Sequence, residues 1–455
     1  MDVRGRHIHF MGIGGIGMSA IALIARRRGA RISGCDLARN RNTERLEAEG
    51  VPCALGHAAG HLDRNVDILV CSSAVPPDAP ERLAAGERGI ECVSRSRMLA
   101  RLMLDRRSLA IAGAHGKTTT TALVAHLLVE AGMDPTVMVG GHVAALGGNF
   151  REGKGEWFIT EVDESDGLLL EIRPTVSVLT NIDREHLDHY RNLDEIVETF
   201  ARYLANTAAE GCVIGCGDDT RVARLLDGCG RPAVRYGLAP GADVRAESVT
   251  ATATGSRFDA ATPSRRIAGL QVPLPGAHNV LNALAAVAVA EHFTLDEAVI
   301  RQALAGAPRV ARRMEVKGSA GGVRVIDDYG HHPTEIAATI GALAGVAAGR
   351  LIVVFQPHRY SRTKALAADF GPAFALADHV AVTSIYSANE PPIEGVTAAL
   401  VADAVRKCGG PSIEYVPSRA NLVPHLVSVV REGDTVLTLG AGDIGTLGDE
   451  LLARL

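Results

Sequence analysis

The stretch SLAIAGAHGKTTT, at residues 108–120, decides the fold of this chain. Residues 109–112 are an apolar, strand-like run, residues 113–116 are a loop bounded by glycines, and residues 117–130 are helix-like. This order, with Lys117 and Thr118 at the start of the helix, predicts a phosphate-binding loop, although two residues separate its glycines where the usual loop has four. The glycines let the backbone wrap phosphates, Lys117 neutralises their charge, and the Thr118 hydroxyl can ligate Mg²⁺.

A second glycine-rich loop, GIGGIG at residues 12–17, lies between a predicted strand at residues 7–11 and a predicted helix at about residues 18–28. Its G-x-G-x-x-G spacing, with Asp36 at the end of the next predicted strand, is typical of a loop that holds a diphosphate at a helix N-terminus. The pattern predicts a diphosphate-bearing nucleotide. It leaves open whether that nucleotide is NAD or another one.

Candidate metal ligands follow the next two predicted strands, in EVDESD (residues 161–166) and NIDREHLD (residues 181–188). Carboxylates and an imidazole at strand ends beside a phosphate loop suit Mg²⁺ held between protein and nucleotide. For Asp163 and Asp166, taken alone, a solvated surface turn is the favoured interpretation. His186 and His189 lack the spacing of a zinc protease.

The alternation of strand-like and helix-like segments predicts an α/β protein with parallel sheets. We expect three domains: an N-terminal Rossmann-like domain at residues 1–104, a central P-loop ATPase-like domain at 105–308, and a C-terminal Rossmann-like domain at 309–455. Within the central domain, residues 245–274 are ambiguous and suggest a small hairpin.

In the last domain, strand-like runs are each followed by a polar or glycine-rich cluster, which predicts one ligand site at the carboxyl ends of the strands. The runs are residues 323–326, 351–355, 379–385 and 435–439. Arg359 and Arg362 stand three apart, so a helical turn beginning there would aim both guanidiniums the same way, where they could grip a carboxylate. The clusters are DDYGHHPTE (327–335), QPHRYSRT (356–363), YSANE (386–390) and GAGDIG (440–445).

Composition narrows the class of protein further. Among 455 residues, 47 Lys and Arg stand against 52 Asp and Glu, so the chain lacks the basic excess of a general nucleic-acid or anionic-membrane binder. The hydrophobic fraction of 47% excludes bulk disorder. The eight cysteines make no framework and are expected to be small buried or half-buried thiols in a reducing compartment. With no signal region or membrane-length apolar run, the expectation is a soluble cytoplasmic protein without membrane insertion.

Taken together, the motifs closely resemble those of the Mur ligases, and within that family those of the members that join L-alanine to UDP-N-acetylmuramate. The resemblance spans nearly the whole chain. In this family the short phosphate loop is the normal form. The motifs are GIGGIGMSAIA (12–22), GAHGKTTTT (113–121), EVDESD (161–166), TNIDREHLDHY (180–190), GAHNVLNALAA (276–286), DDYGHHPTE (327–335), FQPHRYSRT (355–363) and LGAGDIG (439–445).

The resemblance implies a UDP-substrate domain, an ATP-binding domain and an amino-acid domain, in that order, and a role for each matching residue. The ATP-binding residues are Gly113, Ala114, His115, Gly116, Lys117, Thr118, Thr119, Asn279 at the base, and Arg313 at the phosphates. The UDP-substrate residues are Gly12, Gly14, Gly15, Gly17, Asp36 and Ser73. The amino-acid residues are Tyr329, His331, His358, Arg359 and Arg362. The metal ligands are Thr118, Glu161 and His186, and the catalytic residues are Lys117, Glu161, His186, His331, Arg359 and Arg362.

The implied activity is the ATP- and Mg²⁺-dependent joining of L-alanine to the carboxylate of UDP-N-acetylmuramate through an acyl phosphate. This step belongs to peptidoglycan precursor synthesis, and so to cell-wall formation, cell shape and division. The alternatives are a recycling ligase that adds a tripeptide to the same UDP sugar, an ATP-dependent binding switch without ligase activity, and an NAD oxidoreductase. The expected partners are the two substrates, with no nucleic acid, in a monomer or weak homodimer.

The segment around His186 departs from the family pattern. Several members use a carbamylated lysine as a magnesium ligand shortly after this position, but residues 183–206 contain no lysine. A carbamylated ligand is therefore excluded from this segment, and what completes a second metal site stays open. Glu185 stands where the family usually has aspartate, a chemically mild change.

Overall fold

A computed structural model describes residues 3–72, 74–166, 168–187, 189–252 and 254–455, with the side chains of 166 and 168 left aside. The chain packs as two compact units, residues 1–183 with 194–235, and residues 184–193 with 236–455. These units do not correspond one to one with the expected domains, whose boundaries stay a prediction. Within the described ranges, no helix is long and apolar enough to cross a membrane.

The first unit opens with a fully parallel sheet in the order β3-β2-β1-β4-β5. Buried Met11, Cys35, Leu69 and Cys71 belong to the apolar core of this domain. The elements are β1 (His7–Met11), α1 (Ile16–Arg27), β2 (Arg31–Asp36), α2 (Arg41–Ala48), β3 (Cys53–Leu55), β4 (Ile68–Cys71), α3 (Pro80–Glu87), β5 (Glu91–Ser94) and α4 (Arg95–Met103).

A second sheet continues the unit, in the order β12-β11-β10-β6-β9-β7-β8. Its central strands β10, β6 and β9 are parallel neighbours, so their carboxyl ends meet at one edge. The elements are β6 (Arg107–Ala112), α5 (Lys117–Glu130), β7 (Thr136–Val143), β8 (Gly148–Arg151), β9 (Trp157–Glu161), α6 (Leu168–Glu171), β10 (Val176–Leu179), α7 (Leu193–Ala205), β11 (Cys212–Cys216), α8 (Thr220–Gly228) and β12 (Ala233–Gly237).

The second unit combines an antiparallel β13-β14-β15 ladder with a sheet of order β16-β17-β21-β18-β19-β20, parallel except for edge strand β16. The elements are β13 (Val244–Thr252), β14 (Gly255–Ala261), β15 (Arg266–Val272), α9 (Ala277–His292), α10 (Glu297–Ala305), β16 (Glu315–Ala320), β17 (Val323–Asp328), α11 (Pro333–Ala344), β18 (Leu351–Phe355), α12 (Tyr360–Ala365), α13 (Phe370–Ala373), β19 (His379–Val382), α14 (Ala399–Lys407), β20 (Ser412–Tyr415), α15 (Leu422–Val429), β21 (Thr435–Leu439) and α16 (Leu447–Leu452).

The predicted α/β class is confirmed, with two local differences. The ambiguous residues 245–274 form a ladder of longer strands rather than a small hairpin. Alternate residues are buried on two of these strands, Phe258 and Ala260 on β14 and Leu270 and Val272 on β15. The expectation that all cysteines are at least half-buried was wrong for Cys92 and Cys408, which are exposed.

Candidate active site

The phosphate loop connects β6 to α5 and contains two glycines with positive φ. Gly113 has φ +133°, and a Cβ there would lie 2.1 Å from Thr180 Oγ1. Gly116 has φ +80° and precedes the first residue of α5, Lys117. Only glycine satisfies both demands, so the loop keeps its backbone close to the end of β10 and open in front of the helix N-terminus.

Lys117 lies inside this loop. Its Nζ donates to the carbonyl of Gly113 (2.6 Å), to that of Ala114 (3.3 Å) and to Glu164 Oε2 (2.8 Å). Burial disfavours the charged form, but the carboxylates of Glu164 and Asp163 outweigh it and raise the pKa of Lys117 above its usual value. The ammonium is therefore charged and fixed at the centre of the loop, where phosphate oxygens would lie.

The segment that follows β10 is hydrogen-bonded to the phosphate loop. Asn181 Oδ1 accepts from the His115 N–H (2.8 Å), and the Ala114 N–H donates to the Asn181 carbonyl (3.1 Å). The His115 ring lies 2.9 Å from Asp183 Oδ2. With Ala114 and His115 tied in this way, the loop conformation is set before any ligand binds. Thr119, in the first turn of α5, is buried.

Glu161 ends β9 beside the phosphate loop. Its carboxylate packs against Gly140, where a Cβ would lie 1.7 Å from Oε1, and it hydrogen-bonds to Thr118. Burial raises the pKa of Glu161, and its buried Oε2 has no hydrogen-bond partner among the described residues. A buried carboxylate oxygen without a partner next to a threonine hydroxyl fits a hard divalent cation such as Mg²⁺.

The N-terminal glycine loop is held by Asp36, which lies where the sequence predicts it. Gly12 has φ +73°, and the Gly14 N–H donates to Asp36 Oδ2 (2.8 Å). A Cβ on Gly14 would lie 2.7 Å from Asn40 Nδ2. Gly15 is the N-cap of α1, whose dipole favours an anion in front of the loop.

A cavity of about 390 Å³ adjoins this loop, lined in part by Ser72, Arg82, Arg95 and Ser96. A Cβ on Gly17 would lie 2.5 Å from Arg95 Nη1, so a guanidinium lies over the first turn of α1. Sequence reasoning missed Arg95, which no motif marks. Ser73, expected among the substrate-binding residues, lies outside the described residues.

In the second unit, β17, β21, β18 and β19 are neighbours, so their polar carboxyl-terminal clusters meet as predicted. Arg312 binds these ends together, donating to Asp327 Oδ2 (2.9 Å) and to the carbonyls of Gly440 (2.6 Å) and Gly442 (3.0 Å). Gln356 Nε2 donates to Asp443 Oδ1 (2.7 Å). These hydrogen bonds connect the carboxyl ends of the strands to one another.

Three aromatic side chains lie just beyond these strand ends: Tyr329 and His331 after β17, and His358 after β18. The His331 ring centroid lies 5.5 Å from that of Tyr329 and 5.5 Å from that of His358. Burial lowers the pKa of His331 to about 4 and that of His358 to about 3, so both imidazoles are neutral at physiological pH. A neutral imidazole nitrogen can accept a hydrogen bond from an amine, which suits a site for an amino-acid nucleophile.

Arg362 and Glu185 form a buried ion pair beside these rings. Arg362 Nη2 donates to Glu185 Oε2 (2.8 Å) and Nη1 lies 3.1 Å from His358 Nδ1. Burial works against the Glu185 charge, but Arg362 and neighbouring histidines outweigh it and lower the pKa of Glu185 to about 2. The pair is therefore fully ionised near neutral pH.

Arg359, Arg362 and His186 line one cavity of about 70 Å³. The helical turn predicted to hold both arginines begins too late for Arg359: α12 starts at Tyr360, and Arg359 precedes it with φ +66°. His186 also has a positive φ, +51°, in a tight turn in which the Tyr190 N–H donates to its carbonyl (2.9 Å). The two guanidiniums therefore reach the cavity from different backbone conformations.

Asn279 and Arg313 belong to the same unit. Asn279 is buried on α9, with Nδ2 donating to the Pro275 carbonyl (2.8 Å) and Oδ1 accepting from Asn282 (3.2 Å). The Arg313 guanidinium lies 5.2 Å from the Tyr329 ring centroid and 3.9 Å from Glu335 Oε1. Their expected contacts with base and phosphates stay predictions.

A phosphate loop with a fixed lysine, at the carboxyl edge of a parallel sheet and beside a candidate cation ligand, defines an enzyme that acts on a nucleoside triphosphate. Domain models of one family match in chain order: "Mur ligase family, catalytic domain" at residues 7–107, "Mur ligase middle domain" at 111–290, and "Mur ligase, glutamate ligase domain" at 312–442. The chain belongs to the Mur ligase family.

Individual relatives agree along the whole chain. A UDP-N-acetylmuramate–L-alanine ligase of Geobacter sp. is 46% identical, covering 98% of this chain and 97% of that protein. The crystal structure of a UDP-N-acetylmuramate-alanine ligase from Thermotoga maritima superposes with a TM-score of 0.82 at 30% identity, covering 98% of each chain. That of a murein peptide ligase from Psychrobacter arcticus gives 0.73 at 25%, covering 99% and 98%.

Proposed function

We propose that this chain joins L-alanine to the carboxylate of UDP-N-acetylmuramate, with ATP as the source of energy, in peptidoglycan precursor synthesis. The observation that carries the proposal is the presence of two separate glycine loops in the first unit, each at the N-terminus of a helix. The loop at residues 12–17 has its own cavity for a UDP sugar, and the loop at 113–118 serves ATP. An NAD oxidoreductase would leave the second loop without a purpose.

A carboxylate does not react with an amine at neutral pH, because its leaving group is poor. Transfer of the γ-phosphoryl group of ATP to the muramic-acid carboxylate makes an acyl phosphate with a good leaving group. Lys117, fixed in the loop, and the backbone N–H groups at the start of α5 would stabilise the charge on the transferred phosphoryl oxygens. Attack by the L-alanine amine then forms the amide and releases phosphate.

The second half of the reaction draws on the strand-end cluster of the second unit. There, Arg359 and Arg362 would bind the L-alanine carboxylate, and neutral His331 would orient the attacking amine by accepting a hydrogen bond from it. The proton that the amine loses can leave with the released phosphate. The same guanidiniums carry positive charge toward the tetrahedral intermediate. Tyr329 and His358 would shape the walls of this site.

Thr118 and Glu161 would hold Mg²⁺, with His186 proposed as a further ligand. The cation would neutralise phosphate charge during transfer. The buried, unpartnered Glu161 Oε2 supports this assignment. We assign the UDP sugar to residues 1–104, ATP to 105–308 and L-alanine to 309–455. A cytoplasmic location accords with the substrates, ATP and a nucleotide-activated sugar. A monomer or weak homodimer stays a prediction.

The recycling ligase, which would attach a tripeptide, is the second candidate. The L-alanine assignment is supported by the 46% identity of the Geobacter relative, against 25% for the murein peptide ligase.

Phosphate release should be measured with L-alanine, glycine, L-serine and the tripeptide in turn, with and without UDP-N-acetylmuramate. L-Alanine should give the largest rate, only with the UDP sugar present. Turnover with the tripeptide but with none of the single amino acids, in the presence of the UDP sugar, would favour the recycling reaction. ATP hydrolysis that needs neither the UDP sugar nor an amino acid or peptide would favour a binding switch.

Arg95 offers a test of the UDP-sugar site. Arg95→Ala should raise the Kd for UDP-N-acetylmuramate by roughly 10- to 150-fold, the effect of losing about 1.5–3 kcal/mol of charge-assisted hydrogen bonding to a diphosphate. ATP affinity should hardly change. Arg97→Ala, an exposed arginine on the same helix, is the matched control. Calorimetric titration with each nucleotide measures both affinities, and saturable NAD binding abolished by Gly14→Val would contradict the assignment.

A further inference from the structure

Four side chains with metal-binding atoms converge in the N-terminal domain. They are Cys35 at the end of β2, His57 and His61 in the segment after β3, and Glu81 in the first turn of α3. Cys35 Sγ lies 3.3 Å from Glu81 Oε1 and 3.4 Å from His57 Nδ1. Glu81 Oε1 lies 3.0 Å from His61 Nδ1 and 3.4 Å from His57 Nδ1.

We propose that these four residues form a structural Zn²⁺ site. Zinc binds sulfur at about 2.3 Å and nitrogen or oxygen at about 2.0–2.1 Å in a tetrahedron, so neighbouring ligand atoms lie about 3.3–3.6 Å apart. Four of the six distances between the ligand atoms of this cluster are 3.0–3.4 Å, close to the edges of such a tetrahedron. The ligand atoms of Cys35, His61 and Glu81 all lie within 4.8 Å of one another, and His57 would complete the set. The spacing of His57 and His61, with three residues between them, is typical of zinc ligands.

Burial distinguishes this cluster from a surface group of polar residues. The side chains of Cys35 and Glu81 are 0% exposed, and those of His57 and His61 are 14% and 20% exposed. Glu81 Oε1 also accepts from the Ala58 N–H (2.8 Å), whereas its Oε2 is buried with no hydrogen-bond partner among the described residues. A fully buried carboxylate with an unpartnered oxygen calls for a cation.

The donor set also separates this site from other candidates in the chain. A thiolate, two imidazoles and a carboxylate suit zinc, whereas Mg²⁺ selects oxygen ligands such as those at Glu161. A second cluster of His379, Glu414 and His425 contains no thiol. Four protein ligands would close the coordination sphere, which indicates a structural rather than a catalytic ion.

The position of the cluster connects it to the glycine loop. The carbonyl of Cys35 accepts from the N–H groups of Gly12 (2.8 Å) and Ile13 (3.1 Å), and the next residue, Asp36, holds Gly14. Fixing Cys35 to the His57–His61 segment and to α3 would therefore stiffen the support beneath this loop. Zinc should raise the Tm of the protein and tighten UDP-sugar binding together.

Cobalt replacement tests the site directly, because Co²⁺ bound to a thiolate gives a charge-transfer absorption that oxygen and nitrogen ligands do not. The full chain, stripped of metal with a chelator, should take up one equivalent of Co²⁺ with this band, and Zn²⁺ should displace it. Cys35→Ala should abolish the band, and Glu81→Gln should weaken Zn²⁺ binding by about 100-fold or more, since even outer-shell changes cost 10- to 100-fold. Cys71→Ala, another buried cysteine of the same core, is the control and should keep both properties.

His61→Asn keeps the test decisive if Cys35→Ala fails to fold, because His61 is partly exposed and the thiolate band of this variant should weaken while its fold persists. The absence of a thiolate band in the unmodified chain would overturn the proposal. So would a band that survives Cys35→Ala. Either result would mean that the four residues form only a hydrogen-bonded cluster around Glu81.

Discussion

Lys117→Ala should lower kcat by at least about 100- to 1,000-fold, the cost of removing one preorganised stabilising group, and leave UDP-N-acetylmuramate affinity almost unchanged. The reason is that Lys117 lies in the phosphate loop with three hydrogen bonds fixing its ammonium. The glycine loop at residues 12–17, which we assign to the UDP sugar, has its own backbone support through Asp36 and Cys35. Steady-state phosphate release gives kcat, and calorimetric titration gives the affinity.

Loss of the ammonium also removes a partner of Glu164, whose side chain is 2% exposed, so the variant could lose activity through instability alone. The double variant Lys117→Met with Glu164→Gln removes both charges and should recover the Tm without recovering kcat. Lys154→Ala, an exposed lysine of the same unit, should behave like the unmodified chain. A parallel loss of UDP-sugar affinity in Lys117→Ala would contradict the division of labour between the two loops.

Much of the fold was predictable because local sequence patterns determine where several of its helices and strands begin and end. Helix α5, which spans Lys117–Glu130, and strands β18 and β21 have the predicted bounds. Each is an apolar run that begins or ends at a glycine or a polar cluster, so its limits are local. The structure of residues 245–274 could not be predicted from the sequence pattern alone, since their many threonines, serines and alanines give only a weak alternation of apolar and polar residues. Pairing between the strands decides their structure.

The candidate site was predictable where one motif carries it and not where distant segments combine. Gly113, Lys117 and Thr118 lie together because they are neighbours in the chain. Arg95 reaches Gly17 only through the folding of a parallel sheet, and Glu185 meets Arg362 across 177 positions. Single-sequence patterns contain no trace of such pairs. The Glu161 environment is similar, because its tight contact with Gly140 arises from the pairing of β7 with β9.

Arg362→Lys tests the amino-acid site. A lysine keeps the positive charge beside Glu185, whereas alanine would leave a buried carboxylate unpaired at a cost of about 3–5 kcal/mol and confuse catalysis with unfolding. Lysine cannot reproduce the planar fork of a guanidinium, which contacts Glu185 and His358 at once and still has donors for a substrate carboxylate. We therefore expect a specific loss of L-alanine binding in a folded enzyme.

The KM for L-alanine should rise by roughly 10- to 150-fold, corresponding to one lost charge-assisted hydrogen bond of about 1.5–3 kcal/mol, and the KM for ATP should stay within a few-fold. Glu185→Gln separates positioning from contact: it keeps the guanidinium but weakens its anchor, so its L-alanine KM should rise less than that of Arg362→Lys. Arg406→Lys, a half-exposed arginine on α14, is the control for the substitution itself. Arg362 is held at the strand ends of the C-terminal sheet by its contacts with Glu185 and His358. If Arg362→Lys changed the KM for ATP and left the KM for L-alanine unchanged, the amino acid would therefore have to bind elsewhere than at these strand ends.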